Sequence, residues 1–250
     1  IPDSVTSIGE SAFDDCSGLK GVYITNLEKW CKISFGSLDA NPLFYARNLY
    51  LNNQLVTELV LPDTITTIGD WAFVCCYHLT SITIPDSVIS IGEGAFYECR
   101  KLTSVTIPDS VTSIGVSAFQ SCWGLVAVII PDSVTFIGRG AFSSCHGLIR
   151  VIIGNSVVSI GEYVFTDCDS LTNIFISDSV TSIGGQAFSG CTWLEKVYYQ
   201  GTAAEWNKIS IDSGNSNLTK ATRYYYSETK PEVEGYFWHY NDKHEIEEWQ

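Results

Sequence analysis

Apolar residues return along this chain at a fixed interval of 23 residues. From Leu61 the segments LPDTITTIGDWAFVCCYHLTSIT, IPDSVISIGEGAFYECRKLTSVT and IPDSVTSIGVSAFQSCWGLVAVI follow one another, three further copies keep the spacing, and Pro2 opens an isolated seventh. A period this strict predicts one elongated body of stacked units rather than one or two ordinary domains. Within a unit, Leu102, Val105 and Ile107 frame a short strand, and Pro108-Asp109-Ser110 turns it. Val111 and Ile114 then make a second extended stretch ending at Gly115, read as a tight corner needing unusual φ. Ala118, Phe119 and Cys122 follow at the spacing of one helical or 3₁₀ turn pressing its apolar side inward. One unit cannot close a core, so neighbours must stack in parallel and bury the Val, Ile, Ala, Phe, Cys and Leu positions in columns. The fold class expected is an α/β-type, β-rich repeat solenoid with short parallel strands and little helix.

Two stretches break the rhythm, and they are versions of each other. Val22 matches Val197, Trp30 matches Trp206, Lys32-Ile33-Ser34 matches Lys208-Ile209-Ser210, and Arg47 is aligned with Arg223. Thr202 and Glu205 have capping-box spacing ahead of a short helix, and Asn26 caps the equivalent one less well. The organisation expected is a solenoid over 1–199 with an irregular module at 25–60, and over 200–250 a second irregular module. That module ends in an aromatic hairpin, Arg223–Ser227 with Tyr236–Tyr240, capping the last layer.

The nine cysteines resemble a disulfide framework until their spacing is read: Cys76, Cys99, Cys122, Cys145, Cys168 and Cys191 fall once per unit, three after a Phe and three before a Leu. They are read as a ladder of free, buried thiols. Zinc would need convergent paired ligands, which the only close pair, Cys75-Cys76, does not supply. The turn aspartates Asp3, Asp63, Asp86, Asp109, Asp132 and Asp178 offer one carboxylate per turn, too few for calcium, and are read as turn formers bonding local backbone N–H groups. No cofactor is expected. The formal charge of -14 excludes a nucleic-acid or anionic-membrane partner, and no apolar run is long enough to span a membrane. The chain opens inside a repeat at Ile1-Pro2-Asp3, which implies that a native segment precedes it. Catalysis is not expected, because His78, His146, His239 and His244 have no Ser, Cys or Asp company in the pattern.

The repeated C-x-x-L-x-x-I-x-I-P-x-x-V-x-x-I-G-x-x-A-F closely resembles the BspA-like class of leucine-rich repeats, over about residues 1–24 and 61–199. That resemblance implies a right-handed solenoid carried by cell-surface or secreted proteins, often bacterial, some of them adhesins.

Strand alternation locates the candidate surface. The residue between Val and Ile points outward and runs Tyr23, Thr83, Thr106, Ile129, Ile152, Phe175, Tyr198. With Val126, Ile149, Arg150 and Lys196 from neighbouring columns, it outlines an apolar patch with a charged rim, the make-up of a protein-binding site. A competing reading is that β-branched and aromatic residues merely suit exposed strands, or that the C-terminal segment folds back over them. A second candidate is the loop between Cys and Leu, with Trp123 and Trp193 as potential hot spots. The function expected is a non-enzymatic binding module for an extracellular or host protein; a spacer, or glycan binding by the C-terminal aromatics, is the alternative.

Overall fold

The computed structural model describes residues 1–243 and 245–249; His244 lies outside the described residues. The molecule is a β-solenoid of about ten turns. Each regular layer carries one strand on the main face and one on a second face. On the main face, Glu58–Val60, Ser81–Thr83 and Ser104–Thr106 form one parallel sheet. A second sheet runs through Ala127–Ile130, Arg150–Ile153, Asn173–Ile176, Lys196–Tyr199 and Thr222–Tyr226 in parallel, then Phe237–Tyr240 and Ile246–Glu248. The register advances by one unit at each step: Ile129 faces Ile152, Ile152 faces Phe175, and Phe175 faces Tyr198. The second face is built of two-residue strands such as Ser90–Ile91, Ser113–Ile114 and Phe136–Ile137.

The third side is not the helical turn that the Ala-Phe-x-x-Cys spacing predicts. Ala118, Gln120 and Cys122 donate their N–H groups three residues back, while Ser117, Phe119 and Ser121 between them donate to Arg139, Ala141 and Ser143 of the next layer. Ser117 and Ser121 hold φ of 54° and 61°, which lets alternate peptides face opposite ways. A helix would send every N–H back along its own chain and leave the layers unlinked. Tandem turns give the stack a third ladder, which compensates for the cost of left-handed residues.

The repeated glycine also has a different role from the one expected. Gly115 does not have positive φ. A Cβ there would lie 2.5 Å from the Gly92 carbonyl carbon of the preceding layer, and one on Gly138 would lie 2.4 Å from the Val116 nitrogen. Close approach of layers, not unusual φ, requires glycine.

Two columns fill the interior. Phe73, Phe96, Phe119, Phe142, Phe165 and Phe188 are fully buried and stacked, with ring centroids 5.3 to 5.8 Å apart. Beside them the thiols of Cys99, Cys122, Cys145, Cys168 and Cys191 each donate to the carbonyl oxygen of the Phe one layer earlier, at 3.1 to 3.2 Å. A thiol suits the column because it is small, apolar in bulk and still satisfies an interior carbonyl. All nine cysteines are free, as the spacing predicts.

The irregular modules are layers too. In the first, Val22–Ile24 pairs in parallel with Leu49–Leu51. In the second, Lys196–Tyr199 pairs with Thr222–Tyr226 and Ser182–Ile183 with Ser210–Ile211, so the ladders run on across residue 199. Register places Leu49 opposite Val22 and Arg223 opposite Val197, so Arg223 corresponds to Leu49 and not to Arg47; strand pairing overrides the identity match. Thr202 and Glu205 form the expected capping box, and Asn26 accepts one bond, from the Lys29 N–H. Buried Asn41 and Asn215 anchor the modules by donating to the carbonyls of Trp71 and Gly184.

Candidate functional site: a groove roofed by the C-terminal segment

The outward column is placed on the main face as alternation predicts, but its C-terminal part is covered by the chain itself. Phe175, Tyr198 and Tyr224 stack in succession, with centroids 4.4 and 5.1 Å apart, and would leave three aromatic faces in water. The segment after Tyr226 removes them from it. Phe237–Tyr240 adds to the edge strand in parallel, and Ile246–Glu248 returns antiparallel to it. The expected hairpin between 223–227 and 236–240 is therefore corrected: those strands run parallel, and the true hairpin lies between 237 and 248. A parallel partner needs a connection long enough to return the chain to the same edge, and residues 227–236 provide it.

Trp238 is the centre of this roof. It is 1% exposed, packs edge-on against Phe175 at 5.7 Å and Tyr198 at 6.3 Å, and donates its indole N–H to the Tyr199 carbonyl at 2.9 Å. Glu248 accepts from Lys196 and from the Tyr198 hydroxyl. Partial burial opposes ionisation of Glu248, but these two donors outweigh it and hold its carboxyl below the ordinary value. The same carboxylate raises the pKa of Lys196. Burial, then the Glu248 bond, pushes the Tyr198 phenol up.

The residues singled out from sequence thus divide. Phe175 and Tyr198 are each 7% exposed and Lys196 is engaged by Glu248, so these three chiefly support the roof, with Phe175 and Tyr198 reaching only the edge of the groove beneath it. Val126, Ile129, Ile149 and Arg150 remain exposed and Ile152 half-buried. Trp123 and Trp193 stand exposed on the loop ridge, Trp123 beneath the Arg100 guanidinium at 4.1 Å. The contributors that strand alternation misses are Trp238, Tyr240 and Ile246; the tail's aromatic-rich composition is a signal for them, but it points to the end of the stack rather than to its face.

Between roof and sheet lies a groove of about 590 Å³. Its floor is Ile129 and Ile152, one wall is Trp238, Tyr240 and Ile246, and Arg150, Asp109 and Asp132 stand at the rim. Asp132 does not bond its own turn, as the turn-former reading expected, but accepts the N–H of Asn155 one layer on at 2.8 Å. The buried thiols offer no nucleophile: desolvation raises every column cysteine above the ordinary value, with Cys145 and Cys191 pushed up to about 12. Among the described residues, no group of three or more His, Cys, Asp or Glu side chains converges on a common point.

Comparison with solved structures finds a leucine-rich-repeat protein of T. pallidum at 33% identity and a TM-score of 0.52, over 55% of this chain and 64% of that one. This chain therefore spans less than two thirds of that structure's length. A leucine-rich-repeat protein of Bacteroides ovatus matches at 29% identity and TM-score 0.42, over 70% and 57% of the two chains. A leucine-rich cell-surface protein of Faecalibacterium prausnitzii matches at 26% and 0.37, over 86% and 82%. No curated protein matches. The family model described as BspA type leucine rich repeat region matches in six copies, over residues 1–41, 45–146 and 90–219, and the chain belongs to that family.

Proposed function

We propose that the chain is a non-enzymatic recognition module of a cell-surface or secreted protein, and that its groove takes a segment of an extracellular protein. The observation carrying this reading is the change of character along the outward columns. They are Thr and Ser in the layers of Ser81–Thr83 and Ser104–Thr106, and become Ile129, Ile152 and Arg150 where the roof supplies an aromatic wall. A spacer gains nothing from such a concentration, since hydroxyls suffice on a solvated strand face. Exposed aliphatic floor beside aromatic wall and a single Arg is the composition of a protein-binding patch. Asp109 and Asp132 at the rim, on a chain of formal charge -14, favour a segment that pairs an apolar side chain with a basic one.

The test is surface binding of the purified chain to a panel of extracellular matrix and serum proteins and glycans, beside an Ile129→Arg variant, which removes the apolar floor and repels a basic side chain. Ile129 is exposed, so the fold is retained. Protein binding reduced at least tenfold in the variant is the expected result. Undiminished binding, or binding of glycans alone, overturns the reading, and no binding at all favours the spacer.

A further inference from the structure

Where the first irregular module meets the regular stack, a cleft of about 380 Å³ is lined by Ser17, Leu19 and Lys20 of the first repeat, Tyr45, Arg47 and Asn48 of the irregular module, and Tyr77 and His78 of the repeat that follows. We propose that this cleft is a second binding site, specific for the oxyanion of a small organic ligand.

Charge is the first ground. The chain has twice as many acidic as basic side chains, 28 against 14, yet Lys20, Arg47 and His78 line this one cleft and no carboxylate does. Among the described residues none of the three forms an ion pair; the Lys and Arg pairs lie elsewhere. Two acids beside the lining tyrosines are already engaged. Asp14 accepts the Tyr45 hydroxyl at 3.0 Å, and Glu98 accepts the Tyr77 hydroxyl at 2.6 Å and Arg100 at 2.8 Å. These carboxylates are turned to the tyrosines and Arg100 rather than to Lys20 or Arg47.

Backbone strain is the second. Arg47 follows the helix Leu43–Ala46 in the left-handed conformation, with φ of 59°. Gly or Asn fills that cap position at lower cost, so an arginine there sacrifices local stability. The conformation sets its guanidinium 5.0 Å from the centre of the Tyr77 ring, whose other near cation is Arg100 at 4.6 Å. Tyr77 is further fixed by its hydroxyl bond to Glu98 and by its N–H bond to the Arg47 carbonyl. Beside it, Asn48 donates to the Lys20 carbonyl at 2.8 Å and holds that chain in place. The guanidinium is thus positioned before any ligand arrives, and a planar fork of donors suits a carboxylate or sulfate. The cleft's size falls in the range of small-molecule sites, about 300–1,000 Å³.

The experiment follows amide chemical shifts of Lys20, Arg47, Asn48 and His78 while sodium glucuronate, inorganic sulfate or neutral glucose is added. Saturable shifts with glucuronate and none with glucose are expected. Sulfate acting as well as glucuronate means that the oxyanion suffices, and sulfate failing means that the organic body adds contacts; both support the site. Arg47→Asn should weaken glucuronate binding at least tenfold, as befits the loss of a charged hydrogen bond, while leaving the melting temperature unchanged or higher. Arg139→Ala, on a distant layer, should bind as the parent does. Absence of saturable shifts with glucuronate overturns the proposal, and so does an Arg47→Asn variant that binds equally well.

Discussion

The cysteine column makes the fold sensitive to alkali in a way that can be worked out group by group. Eight buried cysteines, Cys31, Cys75, Cys76, Cys99, Cys122, Cys145, Cys168 and Cys191, have thiols raised by desolvation from an ordinary value of 9.0. In the unfolded chain they ionise near 9, whereas in the folded chain Cys31, Cys75, Cys145 and Cys191 stay neutral to about 12 and burial holds the other four well above the ordinary value. A group whose folded pKa is raised stabilises fully below its unfolded pKa, and the contribution is lost as pH climbs toward the folded value. At pH 10, one unit above the unfolded value, each thiol favours unfolding by about 1.4 kcal/mol relative to pH 7. Eight together reach about 11 kcal/mol, on the order of an entire domain's stability of about 5–15 kcal/mol. The upward-shifted phenols of Tyr77 and Tyr198 act in the same direction at still higher pH. Urea unfolding of the fully reduced protein from pH 7 to 10 measures this. Stability should hold to about pH 8 and then fall steeply, and a Cys122→Ala/Cys145→Ala variant, though less stable at neutrality, should fall less steeply. A stability unchanged within about 2 kcal/mol between pH 8 and 10 would refute the reasoning. A thiol-labelling reagent at pH 8 gives an independent check: half-buried Cys16 should react quickly and the other eight only on unfolding.

Two further outcomes test the packing. Trp238→Ala removes a fully buried ring and its bond to Tyr199, a loss of about 3–5 kcal/mol that falls on the roof alone; hydrogen exchange should then speed up at Tyr225 and Ser227, whose N–H groups bond Tyr236 and Trp238, while Phe119 stays protected. Unchanged exchange at both would show that the roof does not depend on this ring. Gly115→Ala drives a Cβ into the preceding layer and should lower the melting temperature by several degrees, whereas Gly9→Ala, with nothing within 4 Å, should leave it unchanged or slightly raised; equal melting of the two would disprove the close-approach account.

Much of the architecture was legible because a solenoid repeats its physics with its sequence. The 23-residue period dictates stacking, strand alternation dictates which side of Ile129 faces out, and a cysteine recurring between Phe and Leu has to lie in the interior. These are local rules applied once per layer, and each layer sees the same neighbours. Contacts between layers or between distant segments were not legible. Ala118, Phe119 and Cys122 fit a helical turn as well as tandem turns, and the choice is made by carbonyls of the next layer that accept alternate N–H groups. Gly115 looks like a corner until the backbone of Gly92 is found against it. Composition in residues 227–250 announces a cap, but where the cap lies is set by the ring stack of Phe175, Tyr198 and Tyr224, which Trp238 covers and Glu248 secures through Lys196. The covering takes Phe175, Lys196 and Tyr198 from the apparent binding surface and builds the groove beside the rest. Repetition determines the columns, because identical units meet identical neighbours; the site depends on the one segment that does not repeat, whose position only the assembled surface decides.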